Sequence, residues 1–370
     1  MTIKRINPIM LIAAMFILTG PLQSQNHPLK AGFDKAEYTE MLKIAWCSAD
    51  TPWVSTKLVP REFRLIYRSP VTGLDNRWDL WSDDGNVAVI SIRGTTGTSE
   101  SWLENFYAAM VPANGSMQLT SGETFNYKLS DNPRSAVHVG WLMAAGFMSQ
   151  GILARIDSCY RKGIWDFIIT GHSQGGGISY LMTAYLLNLQ KSGALPADIR
   201  FKTYCSAAPK PGNLYFAYDF ETMTYGGWAF NVVNSADWVP ESPLSIQTIQ
   251  DFNAVNPFKD AKKTIQKQSF PKRVAMSYAY GKLDRPTRRA VKNYRKFLGK
   301  VAGDFVNKSL PEFQSPDYLY ANHYVRTGTT IVLYADEMYY KNYPDNPDNV
   351  FIHHMTGPYL YLTRMLKDNQ

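Results

Sequence analysis

The sequence predicts an α/β fold in which a mixed, mostly parallel sheet is flanked by helices. Three β-rich runs come first, and from about residue 140 helical and strand patterns alternate, as is typical of parallel strands joined by helices. The chain has 370 residues, of which 45% are apolar, enough to bury a core of domain size. Because no internal repeat or Gly/Ser-rich linker divides it, we expect a single domain over residues 25–370.

The first part of that domain predicts one helix and a meander of strands. Asp34 begins a pattern that resembles a capping box, and apolar residues recur at helical spacing over residues 38–46. Turns are indicated at Gly73 and at the Asp-Gly pair that ends at Gly85. The β-rich runs that these turns separate cover residues 63–67, 78–81 and 87–92. A polar excursion follows over residues 111–134.

The second part alternates helices and strands. Helical spacing predicts helices over residues 140–152 and 178–189. Short apolar runs predict strands over residues 164–170, 202–206, 230–234 and 330–334. This order indicates crossover connections, which place helices on the faces of the sheet.

The N-terminus reads as an export signal. Lys4 and Arg5 precede a ten-residue apolar run over residues 10–19, too short to span a bilayer, and Ser24 offers a small residue for cleavage. We therefore expect a signal peptide over residues 1–24, a secreted or periplasmic protein and no transmembrane segment in the mature chain, with an uncleaved anchor as the alternative. Three cysteines, Cys47, Cys159 and Cys205, allow at most one intrachain disulfide, and free thiols are the simpler expectation.

Most of the positive charge is concentrated in one segment, residues 259–308, called here the basic insertion. It contains 15 Lys or Arg against three Asp, a net charge of +12, within a chain whose total is +8. Its apolar residues recur at spacings of three and four and predict a basic amphipathic helix. They are Val291, Tyr294, Leu298, Val301 and Phe305. The helix either packs on the domain with solvated charges or contacts anionic lipid; nucleic acid is the least favoured partner, and the mildly acidic remainder of the chain argues against it.

The sharpest chemical signal is Gly-His-Ser-Gln-Gly at residues 171–175, directly between a predicted strand and a predicted helix. A serine on such a tight turn projects its hydroxyl above the sheet, and the flanking glycines let strand and helix approach. Ser173 is therefore a candidate nucleophile, with the backbone N–H of Gln174 available to a developing oxyanion. A nucleotide-binding turn is the alternative, but the glycine order does not fit it.

A serine nucleophile needs a base and an orienting carboxylate, in the chain order Ser, Asp, His for this kind of sheet. Asp237 follows a predicted strand within three residues, where ligand sites of open α/β sheets collect. Three histidines follow Ser173 beyond its immediate neighbour: His323, His353 and His354. The last two come after a loop and open the final helical segment, which suits a loop-borne base.

Taken together, these residues resemble the class 3 (fungal-type) lipases of the α/β-hydrolase superfamily. The likeness runs from about residue 35 to 366, interrupted at about 244–315, where the basic insertion lies before the catalytic histidine. Besides the serine turn, five separated motifs carry it: Arg93-Gly94-Thr95 followed by Trp102, Val137-His138-Val139-Gly140-Trp141, Pro209-Lys210-Pro211-Gly212-Asn213, Asn234-Ser235-Ala236-Asp237-Trp238-Val239-Pro240, and His354 five residues before Tyr359. The last spacing favours His354 over His353. Pro211 stands where the family often has Val.

The resemblance implies serine-mediated ester hydrolysis. In this assignment Ser173 is the nucleophile, His354 the base and Asp237 the residue that orients it. The backbone N–H groups of Thr95 and Gln174 would form the oxyanion hole, with the Thr95 hydroxyl as a further donor. Residues 96–110 correspond to the family's mobile lid, or else pack as an ordinary helix. Three apolar side chains at helical spacing mark that lid: Trp102, Leu103 and Phe106.

The resemblance predicts a lipase that cleaves acylglycerols or related lipid esters, with no cofactor and no metal. A phospholipase A or a feruloyl-type esterase would use the same residues, so these readings stay open. A non-catalytic lipid-binding protein on a lipase scaffold is the remaining alternative.

Overall fold

A central sheet of seven strands organises the protein. The structure, a computed structural model, describes residues 28–48 and 58–367, so the expected signal peptide over residues 1–24 lies outside the described residues. The strands, in chain order, are β1 (Arg64–Arg68), β2 (Trp78–Ser82), β3 (Val87–Ile92), β4 (Met110–Pro112), β5 (Asn114–Thr120), β6 (Glu123–Lys128), β7 (Ala136–His138), β8 (Asp166–His172), β9 (Arg200–Ser206), β10 (Gly212–Asn213), β11 (Ala229–Asn234), β12 (Tyr324–Val325) and β13 (Thr329–Leu333).

Within residues 28–48 and 58–367, ten α-helices and one π-helical segment surround these strands. The helices are α1 (Lys35–Cys47), α2 (Ser99–Phe106), α3 (Val139–Tyr160), α4 (Gln174–Lys191), α5 (Leu214–Met223), α6 (Ala261–Gln266), α7 (Phe270–Tyr294), α8 (Ala302–Ser309), α9 (Glu337–Asn342) and α10 (Thr356–Met365), and the π-helical segment spans Arg295–Val301. Short 3-10 turns cover Val239–Glu241, Ile249–Asp251 and Ile352–His354.

The central sheet has the order β1-β2-β3-β8-β9-β11-β13. The first three strands form an antiparallel meander, and β3, β8, β9, β11 and β13 pair in parallel. The carboxyl ends of the parallel strands therefore lie at one edge of the sheet, where ligand sites of α/β folds collect. The predicted fold class, a mixed, mostly parallel sheet flanked by helices, is confirmed.

Two apolar clusters cover the two faces of this sheet. On one face, buried side chains of α3 and α4 pack against the inner strands. On the other, Tyr38 of α1 and Tyr359 of α10 lie in a second cluster with Val89 and Ile168, which are paired neighbours in β3 and β8. Asp34 begins α1 as predicted, because its carboxylate accepts the Glu37 N–H at 2.9 Å.

Helix α3 is the one helix among the described residues that is long and apolar enough to cross a membrane. Of that apolar stretch, 67% is buried inside the protein. Its composition is therefore explained by packing against α4 and the sheet, as for any core helix.

The polar excursion over residues 111–134 contains a hairpin that the sequence analysis missed. Strands β5 and β6 pair antiparallel with each other and form a sheet of their own. Their inward residues alternate with polar ones, the period expected of a half-buried strand. The buried members are Met117, Leu119, Phe125 and Tyr127.

The basic insertion is helical, as predicted, but its apolar stripe changes register along the helix. Val291 is fully buried, whereas Phe305 is 52% exposed and Val306 is buried in its place. The cause is the π-helical segment Arg295–Val301, which adds a residue to its turns and rotates everything after it. The prediction of an apolar stripe with a constant helical period was therefore wrong beyond that segment, because it placed Phe305 on the buried side. The three cysteines are free thiols.

Candidate active site

Ser173 occupies a strained turn between β8 and α4. Its φ of 61° lies in the left-handed region that a side chain rarely adopts. The strand and helix approach so closely that a Cβ on Gly175 would lie 2.2 Å from the Ile92 carbonyl oxygen. A Cβ on Gly171 would lie 2.3 Å from the Gly175 carbonyl carbon. Glycine at both positions is thus required to hold the Ser173 hydroxyl above the sheet.

Asp237 and His354 form a buried pair beside that turn. Asp237 follows β11 and accepts a hydrogen bond at 2.7 Å from His354 Nδ1, which comes from a turn 117 residues later in the chain. The other carboxylate oxygen accepts the Val239 N–H at 3.0 Å. Burial alone would raise the pKa of Asp237, but the hydrogen bonds from His354, Val239 and Tyr359 hold it below its usual value. Asp237 is therefore poised as an ionised orienting group.

The neighbouring His353 points to different partners. Its Nδ1 lies 2.7 Å from the Tyr339 hydroxyl, and its Nε2 lies 2.9 Å from Asp345 Oδ1. Both ring nitrogens are occupied away from Asp237. The geometry thus separates the two candidate histidines and brings only His354 to the carboxylate.

The remaining described histidines are held neutral by burial. Burial lowers the pKa of His138 and of His172 to about 3, and it also lowers the pKa of His323. His138 caps α3 and stacks on Trp141 with ring centroids 3.7 Å apart. These three side chains are structural, whereas His27 lies outside the described residues.

His172 supports the backbone of His354. Its Nε2 lies 2.8 Å from the His354 carbonyl oxygen, which can only accept, so Nε2 carries the proton. Nδ1 must then accept from the Ser206 hydroxyl at 3.1 Å, and Ser206 in turn accepts from Tyr38 at 2.8 Å. This chain of hydrogen bonds ties the loop that carries His354 to the central sheet.

Ser173 and His354 line the same cavity of about 730 Å³. The Ser173 hydroxyl makes no hydrogen bond to any residue in the described part of the chain. In enzymes without bound substrate such contacts are often long and shorten in the reactive complex. Of the residues predicted for the site, the structure brings Ser173, Asp237, His354, Thr95 and Gln174 together around two adjoining cavities.

Thr95 lies beside Ser173 on the loop after β3. Its hydroxyl oxygen accepts a hydrogen bond from Asn105 Nδ2 at 2.9 Å, which leaves the hydroxyl proton free to donate elsewhere. The loop itself is fixed by Asp75, which pairs with Arg93 at 2.7 Å and accepts from the Thr98 hydroxyl at 2.8 Å. Thr95 is therefore presented on a rigid support.

Helix α2, which the sequence analysis assigned to the lid, is fastened to the site by a buried carboxyl group. Glu104 is fully buried, and its two oxygens accept hydrogen bonds from Gln174 Nε2 and, at 2.6 Å, from Asn76 Nδ2. Ser101 of the same helix donates to Gln174 Oε1 at 3.2 Å. Burial raises the pKa of Glu104 to about 8.

The three predicted lid side chains lie in two environments. Trp102 is 37% exposed and lines both cavities, and Phe106 is 58% exposed and lines the smaller one. Leu103 is half-buried and packs against the main core. Leu103 thus anchors α2, whereas the two aromatic residues border the route to Ser173.

The part of the chain that carries the serine turn and Asp237 matches a known protein family. Residues 89–246, which include most of β3, the serine turn and Asp237, match the family described as Lipase (class 3). Over these residues the chain is similar to the class 3 lipases. The lipase segment ends before the basic insertion and before His354.

The chain is also similar to a curated fungal protein. A stretch of 157 residues is 29% identical to the secreted mono- and diacylglycerol lipase 1 of Fusarium solani, covering 42% of this chain and 39% of that one. The chain thus spans well under half the length of the curated relative that it matches.

Among solved structures, the chain resembles fungal lipases at low identity. The Lip2 lipase of Yarrowia lipolytica matches with 17% identity and a TM-score of 0.43, covering 58% of this chain and 76% of that one. The lipase of Rhizomucor miehei in complex with its propeptide matches with 20% identity and a TM-score of 0.41, covering 60% and 73%.

Several contacts around the lipase segment were not predicted from sequence. Tyr359, which the sequence singles out only by its distance of five residues from His354, donates to Asp237 Oδ2 at 2.8 Å. Glu104 and Asn105 were read as ordinary positions of a lid helix. Polar residues are common along α2, so neither residue stands out, and nothing in the sequence identifies Gln174 or Thr95 as their partners.

Proposed function

We propose that this protein is a serine ester hydrolase that cleaves acylglycerols or related lipid esters. The observation that carries the proposal is the buried Asp237–His354 pair, 2.7 Å apart, beside a strained serine with which His354 shares a cavity. The similarity of residues 89–246 to the class 3 lipases supports the same reaction class.

In this proposal, Ser173 Oγ attacks the ester carbonyl carbon while His354 Nε2 takes the hydroxyl proton. Asp237, held ionised by its hydrogen bonds, stabilises the imidazolium that forms. His354 then gives the proton to the departing alcohol, which leaves an acyl group on Ser173. Water, activated by the same histidine, releases the acid and restores the serine.

The negative charge that develops on the carbonyl oxygen would be held by the backbone N–H groups of Thr95 and Gln174 and by the Thr95 hydroxyl. The hydroxyl oxygen already accepts from Asn105, so its proton is available to an oxyanion. Losing one such donor typically lowers kcat by about 10²–10³-fold.

The proposal is tested with purified protein and its Ser173→Ala variant on a panel of acylglycerols, phospholipids and feruloyl esters. We expect Ser173-dependent hydrolysis that is highest on acylglycerols. Highest activity on a phospholipid or a feruloyl ester would transfer the assignment to phospholipase A or feruloyl esterase. Equal rates with and without the serine hydroxyl would exclude the serine mechanism, and binding of lipid without turnover would favour a non-catalytic scaffold.

We further propose export of the protein. The support is the basic and apolar N-terminal pattern of residues 1–24 and the word "secreted" in the name of the Fusarium solani relative. Mass spectrometry of the protein recovered outside the cytoplasm should find its N-terminus at Gln25. An intact N-terminus at Met1 on a protein retained in the cytoplasm would refute export.

The basic insertion supports a second proposal, that the protein docks on anionic lipid. Its helix α7 exposes large apolar side chains among its cations: Phe270 is 69% exposed, Tyr278 68% and Leu283 75%. A monomer in water gains nothing from this exposure, whereas apolar side chains flanked by cations match the charge and polarity of an anionic headgroup region.

Vesicle co-sedimentation tests the docking. A double variant, Lys272→Gln with Lys282→Gln, should bind phosphatidylserine vesicles less tightly than wild type, by about tenfold or more since each cation near the surface contributes about 1 kcal/mol. The matched control neutralises two exposed lysines outside the insertion, Lys162 and Lys341. Equal loss in both double variants would mean that general charge, not the insertion, attracts the protein to lipid.

A further inference from the structure

Two cavities meet at Ser173. The larger, of about 730 Å³, is lined by His354 and the two residues after it. The smaller, of about 310 Å³, is lined by Gln174 and by none of those three. The residues that both cavities share are Thr95, Trp102, Ser173 and Phe351. Any ester whose carbonyl reaches Ser173 therefore has two separate spaces for its two halves.

The position of His354 decides which half enters which cavity, given the proposed hydrolase mechanism on which this step rests. His354 must protonate the departing alcohol, so the alcohol lies in the larger cavity, beside the imidazole. The acyl carbonyl oxygen lies against Thr95 and Gln174, so the acyl chain continues into the smaller cavity, which Gln174 lines.

The smaller cavity has a mainly apolar wall, and part of that wall comes from the basic insertion. Tyr294, the last residue of α7, and Leu298, in the following π-helical segment, both line it. Leu244, near the end of the lipase segment, lines it as well. The basic insertion thus forms part of the proposed substrate site, in addition to part of the protein surface.

The body of the protein fixes this part of the insertion in place. The Leu298 carbonyl accepts the Ala109 N–H at 3.0 Å, a backbone contact just after α2. The next residue, Gly299, lies so close that a Cβ there would be 2.9 Å from both the Ala109 Cβ and the Tyr318 ring. Such contacts hold the backbone of Leu298 and Gly299 against the body of the protein, so this part of the cavity wall cannot move away as a unit.

We infer that the basic insertion selects the acyl chain of the substrate through Tyr294 and Leu298. These side chains bound the acyl cavity and limit the length of chain that fits. Acyl chains that fill the cavity gain burial of every methylene, and longer chains meet the wall. Since one methylene in an apolar pocket changes kcat/KM by about tenfold or more, small changes at this wall alter chain-length preference measurably.

The test measures kcat/KM for p-nitrophenyl esters from butyrate to palmitate, all dispersed in the same detergent. Leu298→Ala and Tyr294→Ala should each raise the ratio of long-chain to short-chain kcat/KM by about tenfold, and Leu298→Phe should lower it. Phe297→Ala is the matched control, because Phe297 is on the same π-helical segment, is 52% exposed and lines neither cavity. It should keep the wild-type profile.

A second series keeps the acyl group and varies the alcohol, from methyl to glyceryl. The Leu298 and Tyr294 variants should leave alcohol preference unchanged, whereas Val71→Ala, in the larger cavity, should change it. An unchanged acyl profile in the wall variants, or a change that follows the alcohol, would overturn the inference while hydrolysis still depends on Ser173. Activity on butyrate reports whether each variant is folded, and if the alanine variants do not fold, Leu298→Phe decides. Hydrolysis that survives Ser173→Ala would instead refute the proposed function.

Discussion

The Tyr359 hydroxyl and the Asp237 carboxylate are joined at 2.8 Å through Oδ2, the same oxygen that accepts His354 Nδ1. Tyr359 is fully buried on α10 and also accepts the Asn234 N–H at 3.1 Å. One phenol thus fixes both the end of β11 and the carboxylate that follows it. It acts on His354 only through Asp237, as a positioning residue.

We expect Tyr359→Phe to lower kcat/KM by about tenfold, because a hydrogen bond to a charged group contributes roughly 1.5–3 kcal/mol and Asp237 would lose one. Loss of the donor also lets the pKa of Asp237 rise toward its usual value, so the acid limb of the pH–rate profile should move to higher pH. Tyr361→Phe is the control, since its hydroxyl accepts from Asn342 instead. Identical pH profiles for the two variants would contradict the role assigned to Tyr359.

Glu104 predicts a stability that falls as the pH rises. Its pKa is raised to about 8 in the folded protein from 4.5 when exposed, because burial penalises the anion and nearby Asp75 adds to that effect despite its pairing with Arg93. The folded state therefore binds more protons than the unfolded state between pH 4.5 and 8, and stability declines across that window.

Glu104→Gln should remove this decline, since the amide cannot ionise, but its NH₂ cannot accept from Asn76 or Gln174, so the variant should be roughly 1–3 kcal/mol less stable than wild type at pH 5. Thermal unfolding measured from pH 5 to 9 checks it. Glu100→Gln, on the exposed side of the same helix, should keep the wild-type slope. If the stability of wild type and of Glu104→Gln depends on pH in the same way, the Glu104 carboxyl does not change its protonation on unfolding in this range, which would contradict the prediction.

The Thr95 hydroxyl should contribute to catalysis and little to folding. Thr95→Val keeps the shape but removes the donor, so we expect kcat to fall about 10²-fold with a small change in Tm. Thr95→Ser restores the hydroxyl and should recover most of the rate. If valine and serine are equally active, the backbone N–H groups hold the oxyanion without the side chain.

Gly175→Ala should prevent folding. The new Cβ on α4 would meet the Ile92 carbonyl oxygen of β3 at 2.2 Å, and a backbone atom of the central sheet cannot move aside as a flexible side chain could. A loss of more than about 3 kcal/mol is expected, as for severe overpacking. Gly97→Ala, where nothing lies within 4 Å of the added carbon, should fold normally. Soluble, native-like Gly175→Ala would show that the strand and helix can separate.

The sequence predicted the serine turn and the carboxylate because each is a local pattern. A strand, a glycine-rich turn and a helix are contiguous at Ser173, and Asp237 directly follows a strand. Which of two adjacent histidines reaches Asp237 depends on the loop before α10, and only family spacing favoured His354. Partners such as Glu104 and Gln174 are 70 residues apart, and a single sequence carries no signal that joins them.

The other failures also have physical causes. Strands β5 and β6 pair only with each other, and one side of each strand is polar. Their many polar residues therefore indicated a polar excursion and not a hairpin. In the basic insertion, a constant helical period placed Phe305 on the inner face, and the π-helical segment moved Val306 there instead. The cavity wall formed by Tyr294 and Leu298 depends on that irregular turn, which has no signature in residue composition.

The π-helical segment also determines how this site can change. In a regular helix, each residue added or removed rotates everything after it by about 100°, and the π-helical segment Arg295–Val301 accommodates one such added residue. Deleting one residue there would restore regular helix and leave Val306 facing the protein, but it would remove the wide turn that carries Leu298 to the cavity wall. Homologues that differ by a single-residue gap in this segment would therefore differ in substrate range more than their sequence identity suggests. When acyl-chain preferences are compared, insertions and deletions in this segment are the informative differences.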